Sequence, residues 1–406
     1  MLVGLLFFAA RTVKNRTSQE EGLAPAVKAV QISAPGIDAA EPATASAADG
    51  SFYVSWVNHD AKKADVILAR FGQDGAMQGS PVRVNRQQGV ATAWRGDQPS
   101  IAVAPGGAVY VLWTARVEAG SKHGTDVYLS VSNDRGQSFA GEVKVNDDKA
   151  PGPHGMHSLA VAADGRIYAA WLDERNVHTP KPSTKGEGHH MESNRDLYLS
   201  YSTDGGRTFS ANRKVASEAC PCCKTALAVS ADGTLYAGWR QVLPGSFRHI
   251  AVASSTDGGT NFSKPIVVSD DHWVLQGCPV SGPSLSVDRA GSLKVLWFAA
   301  GEGSAPGIYF AESKDQGRTF TPRQLLSQES VRGTPALTAS QNNSIALWQT
   351  SETAETKMQA LGNTGAALSV AAGAELPTGV FSKDKLFVAY IAKEKEKRSI
   401  WLIRAE

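Results

Sequence analysis

Ser202-Thr203-Asp204-Gly205-Gly206-Arg207-Thr208-Phe209 is the stretch on which the interpretation of this sequence depends. The same frame, S-x-D-x-G-x-x-F, recurs at 132–139, 255–262 and 313–320. Serine and aspartate side chains bond nearby backbone amides, glycine adopts a positive φ without steric cost, and the aromatic ring packs on the flanking strands. The frame therefore predicts four copies of one hairpin turn in a repeated all-β fold.

This frame resembles the Asp-box, or BNR, repeat of the sialidase-like β-propellers. In that family the box is a structural turn that lies far from the catalytic face. The resemblance therefore implies a fold more directly than an activity. It extends over most of the chain, from about residue 27 to the end.

A second repeat lies between the boxes and consists of an alternating apolar strand that ends in tryptophan. Its period, with four strands per unit, is typical of a propeller blade. A seventh strand pair at 377–391 carries Tyr390 in place of the tryptophan. We therefore predict seven blades, with six, the number in catalytic sialidases, as the alternative. The tryptophans of the repeat are Trp56, Trp113, Trp171, Trp239, Trp297 and Trp348.

The last predicted unit has a third strand at 399–404 but no fourth strand. The apolar run at 27–33 is expected to supply it, which would close the ring and cover both sheet edges. Because neighbouring strands are antiparallel, successive loops lie on opposite faces of the predicted fold. The loops that follow the second and fourth strand of each unit share one face, and unusual chemistry is expected there, near the central axis.

Composition limits the class of protein. The net charge is +2 and 20% of the residues are charged, with no basic run rich in aromatics, so nucleic-acid binding is not predicted. The apolar run at 2–10 has the length of a signal-peptide core and is too short to span a bilayer. We interpret 1–26 as a signal-like segment and linker, and 27–406 as one propeller domain. A periplasmic or secreted monomer without a transmembrane span in the mature chain is expected.

All four cysteines lie in loops of the predicted central face. Cys220, Cys222 and Cys223 precede the first strand of the fourth unit, and Cys278 occupies the position equivalent to Cys220 in the fifth. In an extended segment Cys222 points to the same side as Cys220, and Cys223 points away unless a turn at Pro221 recruits it. We expect the Cα atom of Cys278 within about 7 Å of that of Cys220 or Cys222.

Three interpretations of these cysteines are open. The first is a disulfide from Cys220 or Cys222 to Cys278, which is usual in an oxidising compartment. The second is a thiolate site for copper or zinc, both of which accept soft sulfur ligands. The third is a reactive thiol pair.

Histidines extend the candidate metal site. His154 and His157 lie in the equivalent loop of the third unit, and His272 lies near Cys278. A long insertion at 172–195 is rich in glycine, proline and histidine, and loops of this length are usually functional or disordered. Imidazole and thioether ligands are compatible with copper, although a single loop histidine is more often solvated. The insertion holds His178, His189, His190 and Met191.

Arginine and acidic residues share the same predicted face. The resemblance implies an arginine triad for a substrate carboxylate, a Tyr–Glu nucleophile and an aspartate acid/base. The Phe/Tyr-Arg-Ile-Pro motif of the first family arginine is absent, and spacing assigns no Tyr–Glu pair. The candidate catalytic residues are Arg95, Asp173, Glu174, Arg175, Arg240 and Arg332.

The sequence thus predicts an exported propeller that binds a metal ion or a small acidic ligand through the cysteine cluster and arginines of its central face. Copper and zinc are the candidate cofactors. One alternative is an exo-glycosidase of the sialidase type, acting on terminal sialic acid or a related acidic sugar of a sialoglycan. Another is a scaffold for protein contacts.

Overall fold

The computed structural model describes residues 29–92, 96–117, 124–149, 152–177, 194–275, 277–301, 305–340, 343–363 and 365–405. Across these ranges the chain is all-β, and its strands form consecutive antiparallel sheets without any helix. The described part of the chain therefore contains no helix that would be long and apolar enough to cross a membrane.

The strands fall into groups that follow one another along the chain, after a short first strand β1 (Val30–Gln31). Group 1 consists of β2 (Asp38–Ser46), β3 (Phe52–Asp60), β4 (Lys63–Phe71) and β5 (Val82–Arg83). Group 2 consists of β6 (Ala91–Thr92), β7 (Ser100–Val103), β8 (Val109–Arg116), β9 (Thr125–Ser132) and β10 (Val143–Lys144).

Groups 3 and 4 form one larger sheet, because Ala219 on the last strand of group 3 pairs with Gln241 in group 4. Group 3 consists of β11 (His154–Val161), β12 (Ile167–Asp173), β13 (Arg195–Ser202) and β14 (Arg213–Ala219). Group 4 consists of β15 (Ala226–Val229), β16 (Leu235–Leu243), β17 (Phe247–Ser255) and β18 (Ile266–Val267).

The remaining strands form three separate sheets. Group 5 consists of β19 (Ser284–Val287), β20 (Leu293–Ala299), β21 (Gly307–Ser313) and β22 (Gln324–Ser327). Group 6 consists of β23 (Val331–Ala339), β24 (Ser344–Thr350), β25 (Glu355–Ala360) and β26 (Leu368–Ala372). Group 7 consists of β27 (Ala374–Ser382), β28 (Lys385–Glu394), β29 (Lys397–Ala405) and β1.

The N-terminal strand completes the last sheet. Val30 pairs with Leu402 and Gln31 pairs with Trp401, both antiparallel. The predicted pairing of this apolar run with the last strand is therefore present. Without β1, the backbone groups on that edge of β29 would be left without partners from the sheet.

The innermost strands bring the groups together. β2, β7, β11, β15, β19, β23 and β27 each contact the next in this order, and β27 also contacts β2. The starts of several of these strands line a small cavity of about 60 Å³. The loops that precede these strands therefore meet in one region of the molecule.

The repeated tryptophans form the core between neighbouring sheets. All six are at most 1% exposed, and each lies on the strand that directly follows the innermost strand of its group. The indole N–H of each has a hydrogen-bond acceptor, such as Asp173 for Trp171 and Asp271 for Trp297. Replacing a buried tryptophan by alanine typically costs about 3–5 kcal/mol, so this repeat accounts for much of the stability.

The Asp-box turns have the geometry that their sequence predicts. The Ser202 hydroxyl donates to Asp204 Oδ1 at 2.8 Å and accepts from the Gly206 amide at 2.9 Å. The hydroxyl and amide of Thr208 donate to the same carboxylate. These hydrogen bonds, of which those from Thr208 have the largest effect, hold the pKa of Asp204 well below its ordinary value. Gly206 has a φ of 87°, a backbone conformation that glycine adopts without the steric cost of a side chain.

Candidate functional site

Three cysteine sulfurs meet in the loop that precedes β15. The Cys223 amide donates to the Cys220 carbonyl at 3.4 Å, so the segment turns instead of running extended. This turn brings Cys223 Sγ to 3.4 Å from Cys220 Sγ, while Cys222 Sγ lies 3.8 Å from Cys220 Sγ. All three side chains are buried. The turn at Pro221 thus recruits Cys223, whose sulfur does not point away as an extended segment would require.

A disulfide joins this loop to the loop before β19. Cys222 is bonded to Cys278, with their Cα atoms 6.1 Å apart. The expected proximity of Cys278 is confirmed, and so is the disulfide interpretation for this pair. Cys220 and Cys223 remain free thiols. The four sulfurs therefore divide into one link between groups 4 and 5 and one buried dithiol.

Arg240 lies beneath this cluster on β16 and is fully buried. Its guanidinium donates to three backbone carbonyls, those of Ser281, Arg248 and Phe298. Its Cζ atom also lies 4.8 Å from the centre of the Trp273 ring. Arg240, one of the candidate catalytic residues, thus donates to the main chain of neighbouring strands.

A second buried arginine lies on the neighbouring strand β17. Arg248 is 3% exposed, its Nε donates to the Leu275 carbonyl at 3.2 Å, and its Nη1 has no hydrogen-bond partner. Among the residues that the structure describes, neither Arg240 nor Arg248 forms an ion pair with a carboxylate. Two buried positive charges therefore lie near the dithiol without an acidic partner.

The two free thiols differ in acidity. The hydrogen bond from the Cys223 thiol, together with the positive charges of Arg248 and Arg240, lowers the pKa of Cys220 to about 6, against the effect of burial. Burial raises the pKa of Cys223 well above its ordinary value. This combination favours a Cys220 thiolate that accepts a hydrogen bond from a neutral Cys223 thiol.

His154 belongs to a separate charged cluster. Its Nε2 lies 3.1 Å from Asp148 Oδ1 and 3.3 Å from Asp173 Oδ2. Burial alone would lower the pKa of His154, but the hydrogen bonds and charges of the two carboxylates raise it to about 10. Arg175 binds the same carboxylates, with Nη2 at 2.8 Å from Asp173 Oδ2. The charges of His154 and Arg175 are thus balanced by those of Asp148 and Asp173.

His157 forms a third cluster with residues of the loop before β7. Its Nδ1 lies 3.0 Å from the Ser100 hydroxyl, and its Nε2 lies 3.7 Å from Asp97 Oδ1. Lys224 Nζ is 3.2 Å from the same oxygen, whereas Asp97 Oδ2 is buried without a hydrogen-bond partner. Burial lowers the pKa of His157 to about 3, so the ring is neutral. Sequence reasoning did not select Asp97 or Lys224, although both precede an innermost strand, as the cysteines do.

The other predicted residues are dispersed. Glu174 pairs with Arg195, whose Nη1 also donates to the Pro221 carbonyl of the cysteine loop. Arg332 is exposed on β23. Several predicted residues lie outside the described ranges, namely Arg95, His178, His189, His190 and Met191.

Two sets of described side chains place three possible metal ligands within 4.8 Å of one another. One is Cys220, Cys222 and Cys223, and the other is Asp148, His154 and Asp173. No described histidine lies in the cysteine set, so the predicted combination of these thiols with His154 and His157 is not formed.

The comparison with known families identifies the class of protein. Residues 58–354 match the BNR repeat-like domain, so the chain belongs to this family of sialidase-like propellers. The resemblance drawn from the Asp-box frame is confirmed. The sequence matches no curated protein.

Solved structures with the same fold are distant in sequence. An ulvan lyase of a polysaccharide lyase family aligns with a TM-score of 0.57 and 14% identity over 93% of this chain and 96% of that chain. Trypanosoma rangeli sialidase aligns with a TM-score of 0.51 and 12% identity over 94% of this chain and 60% of that chain. A Dyadobacter fermentans protein of unknown function aligns with a TM-score of 0.51 and 14% identity over 94% of this chain and 100% of that chain. At these identities the likeness establishes a common fold alone.

Proposed function

We propose that this protein is an extracytoplasmic propeller that binds one soft metal ion, copper as Cu(I), between the thiols of Cys220 and Cys223. One observation carries the proposal: two buried arginines without carboxylate partners lie near two buried free thiols. An isolated buried charge costs several kcal/mol, so an anion close to Arg240 and Arg248 is favoured. Two thiolates that share a monovalent cation supply one net negative charge.

The choice of ion follows from the ligands that remain. The Cys222–Cys278 disulfide consumes two of the four sulfurs, which leaves two thiols 3.4 Å apart. A structural zinc site takes four ligands, and no described histidine or carboxylate joins this pair within the same cluster. Thiolate ligands select Cu(I) among the soft ions. Zinc is therefore the second choice, and it would require reduction of the disulfide.

The proposed scaffold is a propeller of seven blades, one for each strand group. The contacts of each innermost strand with the next, including β27 with β2, support a closed ring. The pairing of β1 with β29 supports closure by the N-terminal strand. A six-bladed arrangement would leave one strand group without a place in the ring. The disulfide supports a location outside the cytoplasm, because disulfides persist in oxidising compartments.

The test is a copper titration of protein purified without oxygen, with competition by a Cu(I) chelator. The expected result is one tightly bound Cu(I) per chain, lost in the Cys220→Ser/Cys223→Ser variant. The Cys222→Ser/Cys278→Ser variant is the matched control, because it also removes two sulfurs but keeps the proposed ligands, and it should retain the ion. Wild-type protein without bound copper, or full binding by the Cys220→Ser/Cys223→Ser variant, would refute the proposal.

A carbohydrate ligand on the same face is the second candidate. Structural neighbours include proteins described as a sialidase and an ulvan lyase bound to a sugar fragment. In this chain Gly96 and Gln98, the neighbours of Asp97, line the small central cavity. One carboxylate oxygen of Asp97 lacks a hydrogen-bond partner. Asp97 itself is buried and does not line the cavity, so it would act on a ligand by positioning the residues on either side of it. Loss of oligosaccharide binding in Asp97→Asn, measured on a glycan array, is the expected outcome; binding to no glycan would remove this candidate.

A further inference from the structure

Two histidines and one aspartate converge between β17 and the loop that follows β18. His249 Nε2 lies 3.6 Å from Asp270 Oδ1, and His272 Nε2 lies 3.3 Å from Asp270 Oδ2. His272 and Asp270 are exposed at the surface, whereas His249 is 4% exposed. The cluster therefore has one buried wall and one side that is open to solvent.

The hydrogen bond on the far side of the His249 ring determines what Nε2 offers. Its Nδ1 lies 3.2 Å from the Ser269 carbonyl, which can only accept, so Nδ1 carries the proton. In the neutral ring Nε2 then presents a lone pair. This atom is buried and has no hydrogen-bond partner. Metal-binding histidines commonly have this arrangement, with the other ring nitrogen donating to a carbonyl.

A lone pair that faces a carboxylate oxygen is unfavourable unless a cation lies between them. His249 Nε2 and Asp270 Oδ1 are both acceptors when the imidazole is neutral, and 3.6 Å exceeds an ordinary hydrogen bond. Either a proton or a metal ion can resolve this contact. A separation of 3.6 Å is too long for a direct hydrogen bond but suits two ligand atoms that each lie about 2.0–2.2 Å from one zinc ion.

The neighbouring residues hold the ligands in place. The Phe247 ring packs edge-on against both imidazoles, with centroids 5.9 Å from His249 and 6.5 Å from His272. The His272 amide donates to Asp270 Oδ1 at 3.4 Å, which fixes the loop between them. The two imidazoles face different oxygens of the carboxylate, so one ion needs the exposed His272 ring to turn towards Oδ1. Its 65% exposure leaves room for that rotation.

We propose that His249, Asp270 and His272 form a divalent metal site for Zn²⁺, separate from the Cys220–Cys223 pair. Two imidazoles and one carboxylate form a donor set that zinc accepts at about 2.0–2.2 Å. Three protein ligands leave a fourth position for water or a ligand, as in zinc sites that act on substrates. The exposed carboxylate of Asp270 provides the entry path for the ion.

The test is Zn²⁺ binding by calorimetry to the full chain without an affinity tag, in the Cys220→Ser/Cys223→Ser background. This background removes the dithiol, so the outcome is independent of the copper proposal. We expect one Zn²⁺ per chain, weakened about 100-fold or more by His249→Gln and about 10-fold or more by His272→Gln. Co²⁺ should give the visible absorption of a nitrogen- and oxygen-ligated site.

His59→Gln is the matched control. His59 Nε2 already contacts Glu41 at 2.6 Å, so this histidine has its partner and should not change Zn²⁺ affinity. If His249→Gln fails to fold, His272→Gln still decides the question, because its side chain is exposed. Absence of saturable Zn²⁺ binding, or unchanged affinity in His272→Gln, would refute the proposed metal site.

Discussion

Removal of the Cys222–Cys278 disulfide should destabilise the protein by about 4 kcal/mol. The bond joins residues 56 positions apart, and closing a loop of that length removes about 14 cal/mol/K of entropy from the unfolded chain. At 25 °C this corresponds to about 4 kcal/mol in the free energy of unfolding. Domains commonly have a total of about 5–15 kcal/mol, so Cys278→Ser should lose a large part of the stability.

The assay is chemical denaturation of oxidised wild type and Cys278→Ser in the presence of a metal chelator. The midpoint should fall in the variant, and a reductant should lower the wild-type midpoint by a similar amount. Cys220→Ser is the control, because Cys220 is free and lies outside the bond. A variant within about 1 kcal/mol of wild type, or a wild type insensitive to reductant, would refute the loop-closure argument.

Three further predictions concern charge. The pKa of His154 is raised from 6.5 to about 10, so its contribution to stability is complete below pH 6.5 and is lost as the pH rises through 10. The wild type should therefore lose about 2–5 kcal/mol of unfolding free energy between pH 6.5 and 10, and His154→Gln should not show this loss. Denaturation at several pH values measures the difference, and a variant with the same pH dependence as the wild type would contradict the prediction. Arg248→Met should raise the pKa of the Cys220 thiol from about 6, seen as a shift in thiolate absorbance near 240 nm, and an unshifted titration would exclude a role for this arginine. Wild-type protein should release little or no sialic acid from an aryl sialoside, because the Arg240 guanidinium is bonded to backbone carbonyls; robust turnover contradicts this.

The repeated architecture was predictable because its signals are local. Each Asp-box needs only one serine, one aspartate and one glycine within five residues to form its hydrogen bonds. Each repeated tryptophan lies in a short apolar strand that is buried on both faces, and the regular recurrence of this strand marks the repeat. The pairing of β1 with β29 followed from the repeat itself, because the last predicted unit has a third strand but no fourth.

The partners of the polar side chains were not predictable in the same way. His154 and His157 were assigned to a metal site with the cysteines, but their imidazoles lie next to the carboxylates of Asp148 and Asp97. Asp173 reaches His154 through the pairing of β11 with β12, and Asp97 reaches His157 from another strand group, so the residue spacing alone identifies neither contact. Asp97 was missed for this reason, since its importance depends on His157 and Lys224.

In the cysteine loop, equivalent positions in the repeat do not identify which cysteine forms the disulfide. Equivalence in the repeat matches Cys278 with Cys220, yet the sulfur that reaches Cys278 belongs to Cys222. The Cys220 amide donates to the Arg240 carbonyl at 2.8 Å, which holds Cys220 against β16, and the following turn directs Cys222 to the neighbouring group. The same turn returns Cys223 to Cys220 above the buried arginines. A loop that only needed to link two groups would require one cysteine from this segment, and the two additional buried thiols are the ones to which the proposed copper site is assigned.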